Sequence, residues 1–389
     1  MGTGPVMALA DDIRPEHAEG GFDVTHSPIT RREFVRDAAV GTAALAAGTC
    51  IVRPGNAADA DTSKILNYNP DMEYRRCGKT ELMVSAVCMG GHWKRLNEVI
   101  PNLFKGRSWL SADVNNQDFE KNRYDVVTRL IERGINYIDA CTCEEIQMYS
   151  KALKGRRDKM YLGFSPYQNE VRRKEWRPVK KLQESLDHWM KVCEQEYVDL
   201  WRITMLSNSS KHTEAEVEQT MEALDWAKKS GRARFTGVST HDRPHIKWMI
   251  ETFPDTLDVI VTPYTAKTKV VTDETGLWAA MKKQDVGWFG IKPYASGSIF
   301  KGNGLPGNPH WEEDNRMARL TIRAILCNEA ITAPIPGMIC PEQVDNAALA
   351  VAERRELDAE EKAELQRATD RAWANLPYHY QWLKDWEYV

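Results

Sequence analysis

Alternation constrains this chain more than any other feature. Eight short runs rich in β-branched or aromatic residues fall at 84–89, 136–140, 159–164, 198–205, 233–239, 259–264, 287–292 and 333–336. Runs of this kind read as strands buried on both faces. Strands that alternate with helices pair in parallel through right-handed crossovers. The intervening stretches carry helical signals. Leu182, Leu186, Trp189, Met190 and Cys193 keep helical spacing, and Val126, Val127, Leu130 and Ile131 form a stripe that stops at Gly134, a natural C-terminal cap. Thr213 with Glu216, and Asp358 with Glu361, have the spacing of capping boxes. Eight βα units predict the α/β class and a (β/α)8 barrel. An open doubly wound sheet would want a glycine-rich phosphate turn after its first strand, and Met89-Gly90-Gly91-His92 is not one.

Length and charge agree with that architecture. The 389 residues suffice for one barrel with a leader and a tail, and they can bury a large core without disulfides. A net charge of -4 gives no basic field for nucleic acid. The 8 cysteines are scattered, with only Cys141 and Cys143 close together, so no metal or iron–sulfur spacing is present. They read as small buried hydrophobes. His92, Asp139 and His241 have no metal-ligand spacing either.

The N-terminal 60 residues read as an export leader. Thr30-Arg31-Arg32-Glu33-Phe34 resembles the twin-arginine motif, an Ala/Gly-rich apolar run follows from Ala38 to about Val52, and Ala58-Asp59-Ala60 offers a cleavage site. The run is too short and too poor in large aliphatics to span a membrane. This order predicts a periplasmic or other extracytoplasmic protein and a transient partner in the twin-arginine translocation machinery. The expected division is a signal peptide over 1–60 with an extended n-region, a linker over 61–71, the barrel over 72–356, and a C-terminal helix with an aromatic tail over 357–389. Residues 92–116 form a long loop after the first strand that should overhang the mouth of the barrel. The tail, with Tyr378, Tyr380, Trp382, Trp386 and Tyr388, should pack on the barrel.

Several segments, taken in order, carry a family resemblance. They are Met-Glu-Tyr-Arg-Arg-Cys-Gly-Lys-Thr-Glu-Leu-Met-Val-Ser at 72–85, Gly-Ile-Asn-Tyr-Ile-Asp at 134–139, and Lys-Ala-Leu-Lys-Gly-Arg-Arg-Asp-Lys at 151–159. Glu184-Ser185-Leu186 with Tyr197-Val198-Asp199-Leu200, then Gly237-Val238-Ser239, then Pro336-Gly337 with Gln343 and Asn346 complete the series. Over 70–355 the series resembles the aldo-keto reductases. The resemblance implies an N-terminal hairpin below the barrel and a nicotinamide cofactor, NADP or NAD, bound in extended form. It also implies reduction of a carbonyl on a small-molecule substrate. The family chemistry uses an aspartate, a tyrosine acid, a lysine and a histidine, which together ease proton donation by the tyrosine.

This sequence keeps only part of that set. Asp139 stands at the aspartate position, but the tyrosine position reads Glu144, the lysine position Ser165 and the histidine position Thr204. Tyr149 falls too late and should lie within the following helix. On the cofactor side the resemblance implies roles for Gly90, Ser239, Thr240, Gly337, Gln343 and Asn346. The loop Gly337-Met338-Ile339-Cys340 has no cation for a 2′-phosphate.

Barrel chemistry is built at the C-terminal ends of the strands. Read there, the sequence offers Asp139, Lys292, His92 and Tyr294 as catalytic candidates. Each has a bland alternative: a loop-capping aspartate, an ion-paired lysine, a surface histidine, a tyrosine stacked on the tail. Glu144 and Glu145 read as a charged first helical turn. Three functions stay open: a carbonyl/alcohol oxidoreductase with an unusual catalytic set, an exported binding protein on the same barrel without hydride transfer, and a lyase or isomerase using Lys292 as base.

Overall fold

A computed structural model describes residues 61–386 apart from His92, Trp93, Arg107 and Arg354. The leader and the candidate His92 therefore lie outside the described residues. Two strands open the fold as an antiparallel hairpin, β1 (Tyr74–Arg76) and β2 (Met83–Ser85). Its turn is pressed against the bottom of the barrel, where the Lys79 N–H donates to the Asp285 carbonyl. Gly78 sits there at φ +50°, and a Cβ on it would lie 2.4 Å from both the Asp285 oxygen and the Gly287 nitrogen. Only glycine meets both demands.

Seven strands follow in one parallel sheet whose spatial order is their chain order. They are β3 (Tyr137–Ala140), β4 (Tyr161–Phe164), β5 (Val198–Thr204), β6 (Ala233–Ser239), β7 (Val259–Pro263), β8 (Gly287–Ile291) and β9 (Ala333–Pro334). The eighth stave is residues 88–90. On one side the N–H groups of Cys88 and Gly90 donate to Pro334 and Pro336 at 3.1 and 2.8 Å. On the other, Met89 and Asp139 exchange bonds with the β3 side at 2.9 and 2.8 Å. The sheet thus closes on itself as the barrel that the alternation predicts. The run expected at 84–89 is divided. Val84 belongs to the hairpin, and the Ser85 hydroxyl donates to the Val87 carbonyl at 2.7 Å, turning the chain before it enters the ring.

The helices begin and end where their caps direct. Helix α1 is a single turn, Leu96–Val99, in the loop after the first stave, and α2 (Gln117–Glu132) stops just before Gly134 at φ +75°. Helix α3 (Cys143–Ala152) is capped by Thr142, and α4 spans Val179–Val192. Helix α5 (Glu214–Lys229) starts with the complete Thr213/Glu216 capping box. Helices α6 (Arg243–Thr252), α7 (Leu277–Lys283), α8 (Trp311–Leu326) and α9 (Pro341–Ala352) continue the ring. Helix α10 (Ala359–Ala374) starts with the Asp358/Glu361 box. No helix among the described residues is long and apolar enough to cross a membrane.

Inside the barrel, inward positions recur every second residue. The lower layer is apolar: Tyr137, Leu200, Val259, Phe289 and Ala333 pack there, with the Tyr137 and Phe289 rings stacked at 4.2 Å. One step higher the same rows present Asp139 and Arg202, and one step higher still Thr204. The site therefore rests on an apolar floor. The tail Tyr378–Trp386 packs on the barrel as expected, with Leu383 fully buried beside Trp373 and Ala295. It also reaches the mouth, because Tyr380 lines the cavity there.

Candidate active site

A cavity of about 280 Å³ opens at the C-terminal end of the barrel. Asp139, Lys292 and Tyr294 line it, together with all six expected cofactor positions, Gly90, Ser239, Thr240, Gly337, Gln343 and Asn346. These residues come from both halves of the ring, and barrel closure alone brings them together.

Asp139 is not a loop cap. It is buried and forms a two-pronged ion pair with Arg202, Nε donating to Oδ1 at 2.9 Å and Nη2 to Oδ2, while the Tyr137 hydroxyl donates to Oδ1 at 3.2 Å. Arg202 is thus the charged partner of Asp139. Its third nitrogen, Nη1, donates to the Thr204 hydroxyl at 2.7 Å. Sequence reasoning passed over Arg202. The available signal was a permanently charged residue two places after Leu200 in a strand, hence on the same inward face as Leu200.

Ser165 and Thr204, the residues expected at the lysine and histidine positions, form a hydroxyl pair. Ser165 and Thr204 approach to 2.8 Å, and the Ser165 hydroxyl also bonds Glu170 Oε2 at 2.7 Å. The Thr204 backbone N–H donates to the same Oε2 at 2.8 Å, and the Trp201 indole donates to Oε1 at 3.2 Å. Glu170 is fully buried. Burial pushes its carboxyl up to about 7, against the opposing pull of those hydrogen bonds. Thr204 faces the cavity while Glu170 lies behind it, so the chain Glu170–Ser165–Thr204 joins a buried titratable group to the cavity wall.

Neither neighbouring glutamate nor Tyr149 substitutes for the absent tyrosine. Glu144 accepts from Gln168 at 2.7 Å. Burial raises its carboxyl above the ordinary range. Glu145 does open the helix, but it is buried rather than solvated, and its Oε2 accepts the Cys141 N–H at 2.8 Å. It occupies the space beside Gly91, where a Cβ would come within 2.1 Å of the carboxylate. Tyr149 lies within α3 as expected, fully buried.

Lys292 follows β8 in a left-handed conformation, φ 61°, immediately before a proline. Residues preceding proline avoid that region, so the geometry is strained and is held by its surroundings. Its ammonium has no hydrogen bond or ion pair among the described residues, in contrast to an ion-paired structural lysine. Burial lowers it to about 8, and the charges of Lys94, Arg172 and Arg202 act in the same direction. Tyr294 packs against Phe300 with ring centroids 5.0 Å apart, and burial raises its hydroxyl pKa.

The expected cofactor positions are tied into the wall. Gly90 and Gly337 bridge the seam of the barrel. The Thr240 hydroxyl donates to the Leu206 carbonyl at 2.8 Å, and Ser239 ends β6. The Gln343 side chain accepts from the Ile339 N–H at 2.8 Å and donates to the Gly304 carbonyl at 2.6 Å, which straps two loops together. Asn346 accepts from Arg319 at 2.7 Å. Among the described residues, no group of three or more His, Cys, Asp or Glu could hold a metal ion. The described cysteines are free, Cys327 exposed and the others buried.

Barrel, hairpin and a single polar mouth define a (β/α)8 protein with its working surface at the strand ends. The sequence model of the Aldo/keto reductase family matches residues 108–328. The chain belongs to that family. Among solved structures it is similar to the aldo-keto reductase AKR11C1 from Bacillus halodurans in its holo form, with 19% identity and a TM-score of 0.54, covering 80% of this chain and 99% of that one. It is also similar to MGS-M4, an aldo-keto reductase enzyme from a Medee basin deep-sea metagenome library, with 16% identity and a TM-score of 0.51, covering 75% and 94%. At such identities the likeness is one of fold.

Proposed function

We propose that this protein is a nicotinamide-dependent oxidoreductase that interconverts a carbonyl and an alcohol at the mouth of the barrel. The observation that carries the reading is the single cavity that holds Asp139 and all six expected cofactor positions. The residues fit a dinucleotide without a 2′-phosphate. Arg319, the cation that reaches Asn346, is already paired with Glu353 at 2.8 Å, and the loop 337–340 supplies no other. We therefore assign NAD in preference to NADP.

When bound, the nicotinamide supplies hydride to the carbonyl carbon, or accepts it from the alcohol carbon. The protein's own task is the proton. In the reductive direction the Thr204 hydroxyl gives its proton to the substrate oxygen, Ser165 reprotonates Thr204, and Glu170 reprotonates Ser165 and is left ionised. Oxidation runs the same chain backwards. Arg202 occupies one lone pair of Thr204 and so orients the hydroxyl between Ser165 and the cavity. Asp139 holds Arg202 in place, so in this site it is a positioning residue. Lys292 and Tyr294 stand on the opposite wall, where the ammonium opposes negative charge developing on the substrate oxygen.

The test is cofactor identification. Protein purified from its native host should carry or bind NAD(H), seen by nucleotide mass spectrometry and by quenching of tryptophan fluorescence. No binding of either nucleotide at millimolar concentration would defeat the reading. Tight nucleotide binding without turnover on any carbonyl would point to the binding-protein alternative. We propose further that Arg31-Arg32 directs export by the twin-arginine route. Cell fractionation with N-terminal sequencing of the mature chain tests this, and a cytoplasmic protein beginning at Met1 would refute it.

A further inference from the structure

The charge of the cavity wall is one-sided. Five cationic side chains line it, Lys94, Arg95, Arg172, Arg202 and Lys292, against two carboxylates, Asp139 and Asp314. Both carboxylates are already spoken for. Asp139 is neutralised by Arg202. Asp314 accepts backbone N–H groups of Lys301, Gly302 and Gly304 between 2.8 and 3.3 Å. Arg95 donates to the Asn303 carbonyl at 3.0 Å.

Three cations remain. Lys94, Arg172 and Lys292 have no hydrogen bond or ion pair to any described residue. Lys94 and Arg172 touch only aromatic faces, those of Tyr380 at 5.8 Å and Tyr167 at 5.5 Å. They come from three separate loops, after the first stave, after β4 and after β8, and all three line the one cavity. In a protein of net charge -4, repulsion and partial desolvation both oppose such a cluster. One of its members is also held in strained backbone. Charges kept together against those costs imply a missing counter-charge.

We infer that the substrate of this site is a small organic anion, with a carboxylate or phosphate group held by Lys94, Arg172 and Lys292 while its carbonyl or hydroxyl faces Thr204. The inference rests on the proposed oxidoreductase reading for the identity of the reacting group, but not for the anion site. Lys94 follows the first stave, which pairs with residues 334–337, so the three cations share one cavity with the expected cofactor positions.

The full chain is titrated with pyruvate, with methyl pyruvate and with inorganic phosphate, followed by tryptophan fluorescence and calorimetry, with and without saturating NAD(H). Pyruvate and phosphate are expected to bind and to weaken as salt rises. Methyl pyruvate is expected to bind at least tenfold less tightly than pyruvate. Each of Lys94→Gln and Arg172→Gln is expected to weaken pyruvate about tenfold, the usual size for one charge-assisted hydrogen bond, while the thermal midpoint stays unchanged. Equal affinity for the acid and its ester overturns the inference. So does wild-type affinity in the folded Lys94→Gln/Arg172→Gln double variant. Displacement of phosphate by nucleotide also overturns it, because the cations would then belong to the cofactor. Anion binding without any nucleotide binding would sink the redox reading and leave the anion site standing.

Discussion

Replacing Arg202 with methionine should be among the most damaging single changes in this barrel. The Arg202 and Asp139 side chains are 1% and 3% exposed, so neither can be rescued by water. The variant removes both prongs of the pair and the bond to Thr204, and leaves Asp139 with the Tyr137 hydroxyl alone. Stranding one charge of a buried pair costs about 3–5 kcal/mol. Removing both charges is far milder, because the desolvation cost disappears along with the attraction. Asp139→Leu combined with Arg202→Met should therefore recover most of the loss. Equilibrium unfolding in urea reads each variant as a change in midpoint at constant slope. With the single Asp139→Leu variant these close a double-mutant cycle, whose coupling should be at least about 3 kcal/mol because two singles that each cost about 3–5 kcal/mol combine into a smaller loss. A cost below about 1 kcal/mol for Arg202→Met, or strictly additive singles, would refute the claim that this pair is a desolvated, mutually dependent unit.

Other expectations follow from the same geometry. With its carboxyl raised to about 7 from an ordinary value near 4.5, Glu170 keeps its proton in the folded state over a range where the unfolded chain has lost it. Stability should therefore fall as pH rises from about 4.5 to 7, by ~3 kcal/mol at most, and Glu170→Gln should flatten that decline in urea titrations across pH. The same variant cannot reprotonate Ser165, so its reductive turnover should be low at every pH and lack the decline above about pH 7, while Thr204→Val should lower kcat about 100-fold or more with little change in KM; a Thr204→Val enzyme of normal rate would discard the relay. Asp199, whose pKa is lowered by Arg157 and Arg234 despite its burial, contributes stability that is present above about pH 4 and is lost as pH falls through its folded value. Asp199→Asn should therefore destabilise at pH 7 but much less at pH 3. Gly90→Ala would bring a Cβ to 2.3 Å from the Ile335 carbonyl oxygen at the barrel seam, and should cost about 1–3 kcal/mol by thermal denaturation.

Much of the scaffold was legible because its causes are local. Periods of two and 3.6 residues, the Thr213 and Asp358 boxes and the Gly134 cap each act within a few residues, and strands β3 to β8 fall at the predicted places. The first stave was misplaced for the opposite reason. Its bonds go to β3 and to Pro334 and Pro336, some 50 and 250 residues away, and no local pattern separates Val84 in the hairpin from Met89 in the ring. Glu145 looked like an ordinary charge in a first helical turn, and only the fold shows it enclosed against Gly91.

The site divides in the same way. Asp139, Lys292 and Tyr294 could be named because a barrel always gathers its strand ends, whereas the six positions on the cofactor side came from the family resemblance. How Ser165 and Thr204 are joined to each other and to Glu170 could not be read from the residues alone. The partnership of Arg202 with Asp139, the line from Glu170 through Ser165 to Thr204, and the unpaired charges of Lys94, Arg172 and Lys292 are relations across the ring. They depend on distances of a few ångströms between segments far apart in sequence, and only closure of the barrel sets those distances.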